Sequence, residues 1–348
     1  MLTYSPAVFA VDDTYQIITL VSTPSLFAVR VGESVYCDHH NGVMRSDTTV
    51  HRVTVPMAAL DAAGGYTVCV TPIVERKPYF TQTADTQEYA FAFRPVPSSG
   101  AVRAYHIADA HGLVEEPIKA AEAFGEMDFL ILNGDLISYC NEEADLYGIF
   151  NMIGAITKGG IPVVYARGNH DLRGRFAEHR TAFTPLSDGK PYYAFRLGSV
   201  WGVILDCAED KPDDHAEYGG TICCHAFREE QTAFLRTLIA EKPYEADGIT
   251  TRVVIAHNPF TYVNHPPFDI ETDVYREWAR LLKESVHPDV MLCGHKHELA
   301  VYEVGSEHDH LGQPCTLVIG GTYTDGYYAG AGITFENGNC RVVFTDNT

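Results

Sequence analysis

Five apolar segments in the later part of the sequence each end in residues that could bind a metal ion or transfer a proton. The clearest is VVYARGNHDL, residues 163–172, in which an apolar run stops at Gly168 and is followed by Asn169, His170 and Asp171. Ligands of α/β proteins bind at the carboxyl ends of strands, so these ends can converge on one site. The five segments and the residues at their ends are 102–108 with Asp109 and His111, 129–132 with Asp135, 161–166 with Asn169 and His170, 253–256 with His257, and 290–293 with His295 and His297.

Each of these residues has a simpler explanation when it is taken alone. Asp109 or Asp135 could be a helix N-cap after a strand, and His257 could be a hydrogen-bonded core histidine. A sixth run, 201–205, ends at Asp206 with no His or Asn beside it, and we interpret Asp206 as structural or as support for a ligand. The coincidence of five strand ends in one chain favours a shared metal site.

The seven candidate ligands offer imidazole nitrogens, carboxylate oxygens and an amide oxygen, but no thiolate. This mixture suits Mn, Fe or Zn and differs from structural zinc sites, which depend on Cys. Seven ligands are too many for one catalytic ion with open positions, so we expect two divalent or mixed-valence ions that share a carboxylate, most naturally Asp135. The candidate ligands are Asp109, His111, Asp135, Asn169, His257, His295 and His297.

The first part of the chain has the pattern of a separate β domain. Residues 1–97 alternate apolar and polar positions in short runs separated by turn residues, which is typical of an antiparallel β-sandwich. The segment RPVPSSGA, residues 94–101, has the Pro, Ser and Gly content of a linker. We therefore predict two domains, 1–97 and 101–348.

The second part of the chain has the pattern of an α/β domain. Strand-length apolar runs alternate with helical patterns at 116–124, 229–239 and 275–285, which predicts layers of sheet and helix. Residues 316–344 return to β-like runs with Gly between them, so the second sheet is predicted to be mixed or antiparallel. This domain is where the candidate ligands lie.

The charge of the chain limits the partners that it can bind. The formal net charge of the 348 residues is -21 at pH 7, and Lys and Arg form no cluster. Because nucleic-acid binding depends on such clusters, we expect no coating of nucleic acid. A small phosphorylated substrate stays compatible, since metal ions reverse the field locally. The sequence indicates no particular protein partner.

The cysteine pattern and the hydropathy favour a cytoplasmic location. The nine Cys are scattered without C-x-x-C spacing, which is typical of reduced thiols in a cytosol-like compartment. The start of the sequence lacks a secretory pattern, and no window has the roughly 18 apolar residues of a membrane span. We expect no membrane association, although a secreted protein that has lost its signal would look the same.

The motifs, in this order, resemble the signature of the calcineurin-like metallophosphoesterases. The matching segments cover essentially all of residues 101–348. The resemblance implies an α/β fold in which a metallophosphoesterase β-sandwich is flanked by helices. The motifs are Asp109-Ala-His111, Gly134-Asp135, Gly168-Asn169-His170-Asp171, His257 and Gly294-His295-Lys296-His297.

The resemblance also assigns expected roles to these residues. Asp109, His111 and His297 would bind one ion, while Asn169, His257 and His295 would bind the other, and Asp135 would bridge the two ions. His170 would point at the substrate as a catalytic residue. Asp171 would orient the His170 ring.

The N-terminal sandwich followed by this domain resembles the purple acid phosphatases, in which a small all-β immunoglobulin/fibronectin-like module precedes the catalytic domain. Two positions differ from that subfamily. Ser138, followed by Tyr139, stands where those enzymes have a Tyr ligand, and His111 stands where they have Gly. We therefore expect two similar divalent ions and no purple colour.

Three further residues are candidates for contacts with a phosphate. His265 lies in the segment NPFTYVNHPPFD after His257, and histidines in the matching loop of purple acid phosphatases contact substrate; a solvated loop His is the alternative. Arg167 and Arg173 flank the turn that carries His170, and we interpret both as salt-bridging residues rather than phosphate ligands.

These observations predict a metal-dependent phosphoric ester hydrolase. Water activated by the two ions would attack phosphorus of a mono- or diester, and His170 would assist the leaving group. The alternative is a catalytically silent metal-binding scaffold or interaction protein on the same fold. A third possibility, adhesion through aromatic residues such as Tyr79 and Phe80 of the first domain, is explained more simply by packing.

Overall fold

A computed structural model describes all 348 residues of the chain. The first hundred residues are rich in strands and contain one short helix. The elements in this part are β1 Ala7–Val11, β2 Thr14–Leu20, β3 Ser25–Val31, β4 Ser34–Cys37, β5 His39–His40, β6 Val43–Met44, β7 Val50–Pro56, α1 Met57–Ala63, β8 Gly65–Glu75, β9 Gln82–Thr83 and β10 Gln87–Ala92.

The remaining residues alternate strands and helices before ending in strands. Their elements are β11 Val102–Ile107, α2 Glu115–Phe124, β12 Phe129–Asn133, α3 Tyr147–Thr157, β13 Val163–Ala166, β14 Tyr193–Leu197, β15 Val200–Leu205, α4 Cys224–Glu241, β16 Thr251–Ala256, α5 Thr272–Leu281, β17 Val290–Cys293, β18 Leu299–Tyr302, β19 Thr316–Gly320, β20 Thr322–Thr324, β21 Tyr327–Glu336 and β22 Asn339–Asp346.

Two large mixed sheets face each other and form the centre of the molecule. One has nine strands in the order β20-β21-β11-β12-β13-β1-β2-β7, with β22 paired to β21, and the other has six in the order β14-β15-β16-β17-β19-β18. Ala104 of β11 and Ile131 of β12 share a buried cluster with Val253 and Ile255 of β16. The core between the sheets therefore holds the carboxyl ends of their parallel strands at fixed positions.

Helices cover the outer face of each sheet because strand residues alternate between the two faces. In β11, Tyr105 points away from its neighbour Ala104 and packs in the cluster that contains Ile149 and Ile153 of α3. In β16, Val254 packs with Trp278 of α5. The expected α/β class, a double sheet flanked by helices, is confirmed.

The N-terminal region is strand-rich, as predicted, but it shares a sheet with the rest of the chain. β1 pairs in parallel with β13 through Phe9 and Val163, and β2 and β7 continue the large sheet beyond it. The second layer of this region is a five-stranded sheet, β10-β8-β3-β4 with β9 paired to β8. A free-standing sandwich would not pair with the second part of the chain. Here β1 pairs with the edge strand β13, whose backbone groups on that side would otherwise have no partner.

The consequence for domain organisation is that the large sheet crosses the predicted boundary between residues 97 and 101. The division into domains 1–97 and 101–348 stays a prediction, as does the resemblance of the first part to a fibronectin-like module. None of the helices has the length and apolar character needed to cross a membrane.

Candidate metal centre

All seven predicted ligands lie at the carboxyl ends of parallel strands. Asp109, Asp135 and Asn169 follow β11, β12 and β13, which are parallel neighbours in the nine-stranded sheet. His257 directly follows β16, and His295 lies two residues after β17, its parallel neighbour in the other sheet. Because the two sheets pack face to face, these ends meet at one edge of the sandwich, and the residues are brought together as the sequence predicts.

Three of the residues form one half of the cluster. His111 Nε2 lies 3.3 Å from His297 Nε2, and His297 Nε2 lies 3.4 Å from Asp109 Oδ1. His111 is also held by Ser138, whose Oγ lies 3.2 Å from His111 Nδ1. The two imidazoles and one carboxylate therefore converge on a common point.

Four residues form the other half. His257 Nε2 lies 3.1 Å from Asp135 Oδ2 and 3.7 Å from Asp109 Oδ1. His295 Nδ1 lies 3.0 Å from Asn169 Oδ1. Asp135 is within reach of both halves, since its Oδ2 is also 3.9 Å from His111 Nε2. Its position is the one expected for a shared carboxylate.

Nitrogen and oxygen atoms of this cluster face each other at short distances, which is what a bound cation requires. His257 Nε2 is buried and makes no hydrogen bond despite its short distance to Asp135. The Asn169 oxygen faces His295 Nδ1 and other acceptors. If the Asn169 amide is rotated by 180°, its nitrogen donates to His295 Nδ1 and Asp135 Oδ2. A bound cation instead favours the orientation in which the amide oxygen faces the cluster. The donor set is N and O without S, so it fits divalent Mn, Fe or Zn.

Burial and mutual charge shift the pKa values of the cluster strongly. Burial raises the pKa of Asp109 to about 7. Burial alone would raise the pKa of Asp135 and lower that of His257, but their attraction outweighs it, so the pKa of Asp135 is lowered and that of His257 is raised to about 10. Burial lowers the pKa of His111 and of His295 to about 4, so both are neutral and available as ligands at pH 7.

Most of the ligands occupy a backbone conformation that residues other than glycine rarely adopt. The φ angles are +54° at Asp109, +46° at His111, +51° at Asp135, +69° at His295 and +52° at His297. Positive φ costs of order 1–3 kcal/mol per residue and persists only where the surrounding fold imposes it. Its concentration on five of the seven candidate ligands marks this edge as a functional site.

Gly168 is required by the close approach of Asp135. A Cβ atom at Gly168 would lie 2.2 Å from Asp135 Oδ1 and 2.5 Å from the Asp135 backbone nitrogen. The sequence predicts a tight turn at Gly168, and the structure adds this contact between neighbouring strand ends as the reason that no side chain fits.

Substituting Ala for Gly168 is therefore expected to displace the Asp135 carboxylate. The overlap should cost about 1–3 kcal/mol of unfolding free energy and lower the bound metal per chain. Thermal unfolding and metal analysis measure the two effects. Gly148→Ala in α3 is the matched control, because its Cβ meets only Val114 Cγ2 at 3.1 Å. Equal metal content in both variants would contradict this role of Gly168.

His170 lies at the mouth of the cluster and is held from two sides. Its backbone N–H donates to Asp135 Oδ1 at 2.8 Å, and its Nδ1 donates to the Ser138 carbonyl at 2.9 Å. Its Nε2 lies 4.0 Å from Asp135 Oδ2. The side chain is 28% exposed, so Nε2, which lies 3.2 Å from Arg173 Nη1, is accessible to a molecule entering from solvent.

The role predicted for Asp171 is wrong. Its carboxylate does not contact the His170 ring; it accepts hydrogen bonds from the Gly168 N–H at 2.9 Å and the Tyr165 hydroxyl at 3.2 Å and pairs with Arg180 at 2.9 Å. The side chain is fully buried beneath the turn. Asp171 therefore stabilises the turn that presents Asn169 and His170, while the Ser138 carbonyl orients the ring.

Two other residues that support the cluster were not predicted. The Asn133 side-chain amide donates to the Leu292 carbonyl at 3.1 Å, and the Asn133 backbone carbonyl accepts from His257 Nδ1 at 2.6 Å. Tyr323 stacks on the His111 ring with centroids 4.7 Å apart. The only signal for Asn133 was a polar residue at the end of an apolar strand, and none pointed to Tyr323.

The remaining candidates lie outside the cluster. His265 is exposed in its loop and makes no hydrogen bond or ion pair with the seven residues, so its substrate contact stays a prediction. Arg167 pairs with Asp206 at 2.6 Å, and Arg173 pairs with Glu209 at 2.8 Å, so both arginines form salt bridges as predicted. Asp206 is fully buried and pairs with Arg167, which agrees with a structural or supporting role.

Comparison with known proteins agrees with this geometry. The chain matches the calcineurin-like phosphoesterase family over residues 102–299, more than half of its length. No curated protein sequence is significantly similar to it.

Two solved structures have a similar fold. A purple acid phosphatase, PPD1, from yellow lupin (Lupinus luteus) seeds is 13% identical with a TM-score of 0.64, over 99% of this chain and 72% of that one. The structure of PhoD is 12% identical with a TM-score of 0.52, over 98% of this chain and 92% of that one. The matched family, described as calcineurin-like phosphoesterases, binds divalent metals, and the seven clustered residues are of types that can bind such ions. The chain belongs to the calcineurin-like phosphoesterase family.

Proposed function

We propose that this protein is a metal-dependent phosphoric ester hydrolase with a dinuclear centre. The observation that carries the proposal is the convergence of seven residues with N and O ligand atoms, Asp135 at their centre, with His170 at the open side. Membership of the family supports hydrolase activity, and the geometry of this chain supports two ions rather than one.

The proposed ligand sets follow the two halves of the cluster. One ion would be bound by Asp109, His111 and His297 and the second by Asn169, His257 and His295, with Asp135 shared between them. Bound there, two divalent or mixed-valence ions would supply an activated water and neutralise charge on phosphoryl oxygens. Mn, Fe and Zn all fit the ligand set.

His170 is proposed to act on the leaving group. Because Nδ1 donates to the Ser138 carbonyl, which can only accept, Nε2 is the ring nitrogen that faces the site. Protonated at Nε2, the ring would donate a hydrogen bond to the departing ester oxygen and then transfer its proton to it. Proton transfer by a positioned side chain typically contributes a factor of about 10² to 10⁴.

The proposed substrate is a small phosphorylated compound, either a mono- or a diester. The net charge of -21 disfavours a polyanionic macromolecule. We also propose a cytoplasmic location, which the nine unpaired cysteines support.

Metal analysis combined with hydrolysis tests this function. Protein purified without chelator, then supplied with Mn, Fe or Zn, is expected to hold about two ions per chain and to hydrolyse p-nitrophenyl phosphate or its bis ester only when loaded. Bound metal without turnover of either ester would favour the scaffold alternative. Neither metal nor turnover with any of the three ions would contradict the proposal.

A further inference from the structure

We propose that Arg173 binds a phosphoryl oxygen of the substrate and makes this site selective for phosphomonoesters over diesters. This inference rests on the proposed phosphoesterase function and names its substrate class. It goes beyond the interpretation of the sequence, which favours a salt bridge over a phosphate contact for Arg173.

Arg173 lies directly against the residue proposed to act on the leaving group. It follows the short helical turn His170–Leu172, and its Nη1 is 3.2 Å from His170 Nε2 and 3.5 Å from His170 Nδ1. The His170 Nε2 atom is in turn 4.0 Å from Asp135 Oδ2. The Arg173 side chain is 24% exposed, so its guanidinium borders the mouth of the metal cluster and is accessible from solvent.

The salt bridge to Glu209 positions the guanidinium rather than occupying it completely. Glu209 accepts from Arg173 Nε at 2.8 Å and from Nη2 at 3.0 Å, and it is itself held by the Tyr218 hydroxyl at 3.0 Å. Only 1% of the Glu209 side chain is exposed. A two-point pair of this kind fixes the plane of the guanidinium. Nη1 is left without a carboxylate partner and is directed at His170.

The neighbouring acidic residues lie near Nη2 of Arg173 and do not pair with Nη1. Asp210 and Glu217 lie 3.8 Å and 3.7 Å from Arg173, both on the Nη2 side. Lys211 pairs with the same two carboxylates at 3.2 Å and 3.0 Å. Their charge is therefore shared with a second cation, and the Nη1 donors stay available.

The other cations near the cluster are directed elsewhere. Arg167 pairs with Asp206 at 2.6 Å. Lys296, which lies between two candidate ligands in the sequence, has its Nζ over the Tyr262 ring at 4.3 Å. Arg173 is thus the cation that the fold places beside His170.

The chemistry of the two ester classes explains the selectivity. A monoester has three non-bridging oxygens and carries two negative charges, whereas a diester has two such oxygens and an ester group in the third position. With two oxygens directed at the proposed metal centre, the third oxygen of a monoester meets Arg173. A diester would place its ester group there and leave the Nη1 donors of Arg173 without a phosphoryl oxygen, although the guanidinium keeps its pair with Glu209.

The test compares Arg173→Met with wild type on p-nitrophenyl phosphate and on bis(p-nitrophenyl) phosphate, which release the same product. The kcat/KM for the monoester is expected to fall about 10- to 100-fold, while that for the diester changes by less than about threefold. Arg175→Met is the matched control, because Arg175 is exposed and its Nε donates to the Asn141 carbonyl at 2.8 Å. It should leave both rates unchanged.

Binding of inorganic phosphate to metal-supplemented protein, measured by calorimetry, gives a readout independent of turnover. Arg173→Met is expected to weaken it about 10- to 100-fold without changing the metal content. A parallel fall in both esters with an unchanged ratio, or equal phosphate affinity in wild type and variant, would overturn the inference. If wild type binds phosphate through Arg173 but hydrolyses neither ester, the proposed function fails while this binding role stands.

Discussion

Asp135→Asn is expected to lower kcat/KM by at least about 10³-fold, because the variant loses the carboxylate that both halves of the cluster share. The pKa of Asp135 is lowered by His257, so the wild-type side chain is ionised at neutral pH. Asn has a similar shape but carries no charge and offers a single oxygen. Bound metal should fall from about two ions per chain to one or fewer, as measured by elemental analysis.

Asp206→Asn is the matched control for this variant. Asp206 is also buried at the end of a strand, but it pairs with Arg167 and lies outside the cluster. Breaking that pair is expected to lower thermal stability while metal content stays at the wild-type value. If Asp135→Asn keeps two ions and wild-type turnover, or if Asp206→Asn loses metal while folded, the assignment of the shared ligand is wrong.

His170→Ala is expected to leave metal content intact and to lower kcat by about 10² to 10⁴. The His170 Nε2 atom is 4.0 Å from Asp135 Oδ2 and the ring lies edge-on to His111, but His170 belongs to neither proposed ligand set, so its removal should take away no ligand. The loss should be larger for an alkyl phosphate than for p-nitrophenyl phosphate, because an alkoxide depends more on protonation as it leaves. Initial rates with both substrates measure this difference.

His179→Ala controls for the removal of a histidine outside the cluster. The His179 side chain is 62% exposed and pairs only with Glu178, so both activity and metal content should match the wild type. Loss of metal in His170→Ala would mean that His170 is a ligand. An equal loss of rate for the two leaving groups would contradict its role as a proton donor.

The candidate ligands could be predicted from sequence because their signal is local. Each is a polar residue at or shortly after the end of an apolar run, as Asp109 follows β11 and His257 follows β16. The apolar runs of strand length identify the strands. Because ligands of α/β proteins bind at the carboxyl ends of strands, these residues can be predicted to lie together without knowledge of the long-range fold. The helix-flanked double sheet follows from the same alternation of strands and helices.

The errors and omissions concern contacts between segments that are distant in sequence. Asp171 is next to His170 but faces Arg180 and Tyr165, because the turn at 168–172 directs successive side chains to opposite sides. The pairing of β1 with β13 depends on which sheet edge is free, and alternation within β1 carries no information about its partner. Glu209, which positions Arg173, comes from a loop of the other sheet and has no motif.

Anomalous scattering from crystals of the metal-loaded protein tests the central claim most directly. With Mn or Zn bound, the difference map is expected to contain two peaks about 3.5–4 Å apart on either side of the Asp135 carboxylate. One peak should contact His111 and His297, and the other His257 and His295. A single peak, or two peaks that do not share Asp135, would contradict the dinuclear centre.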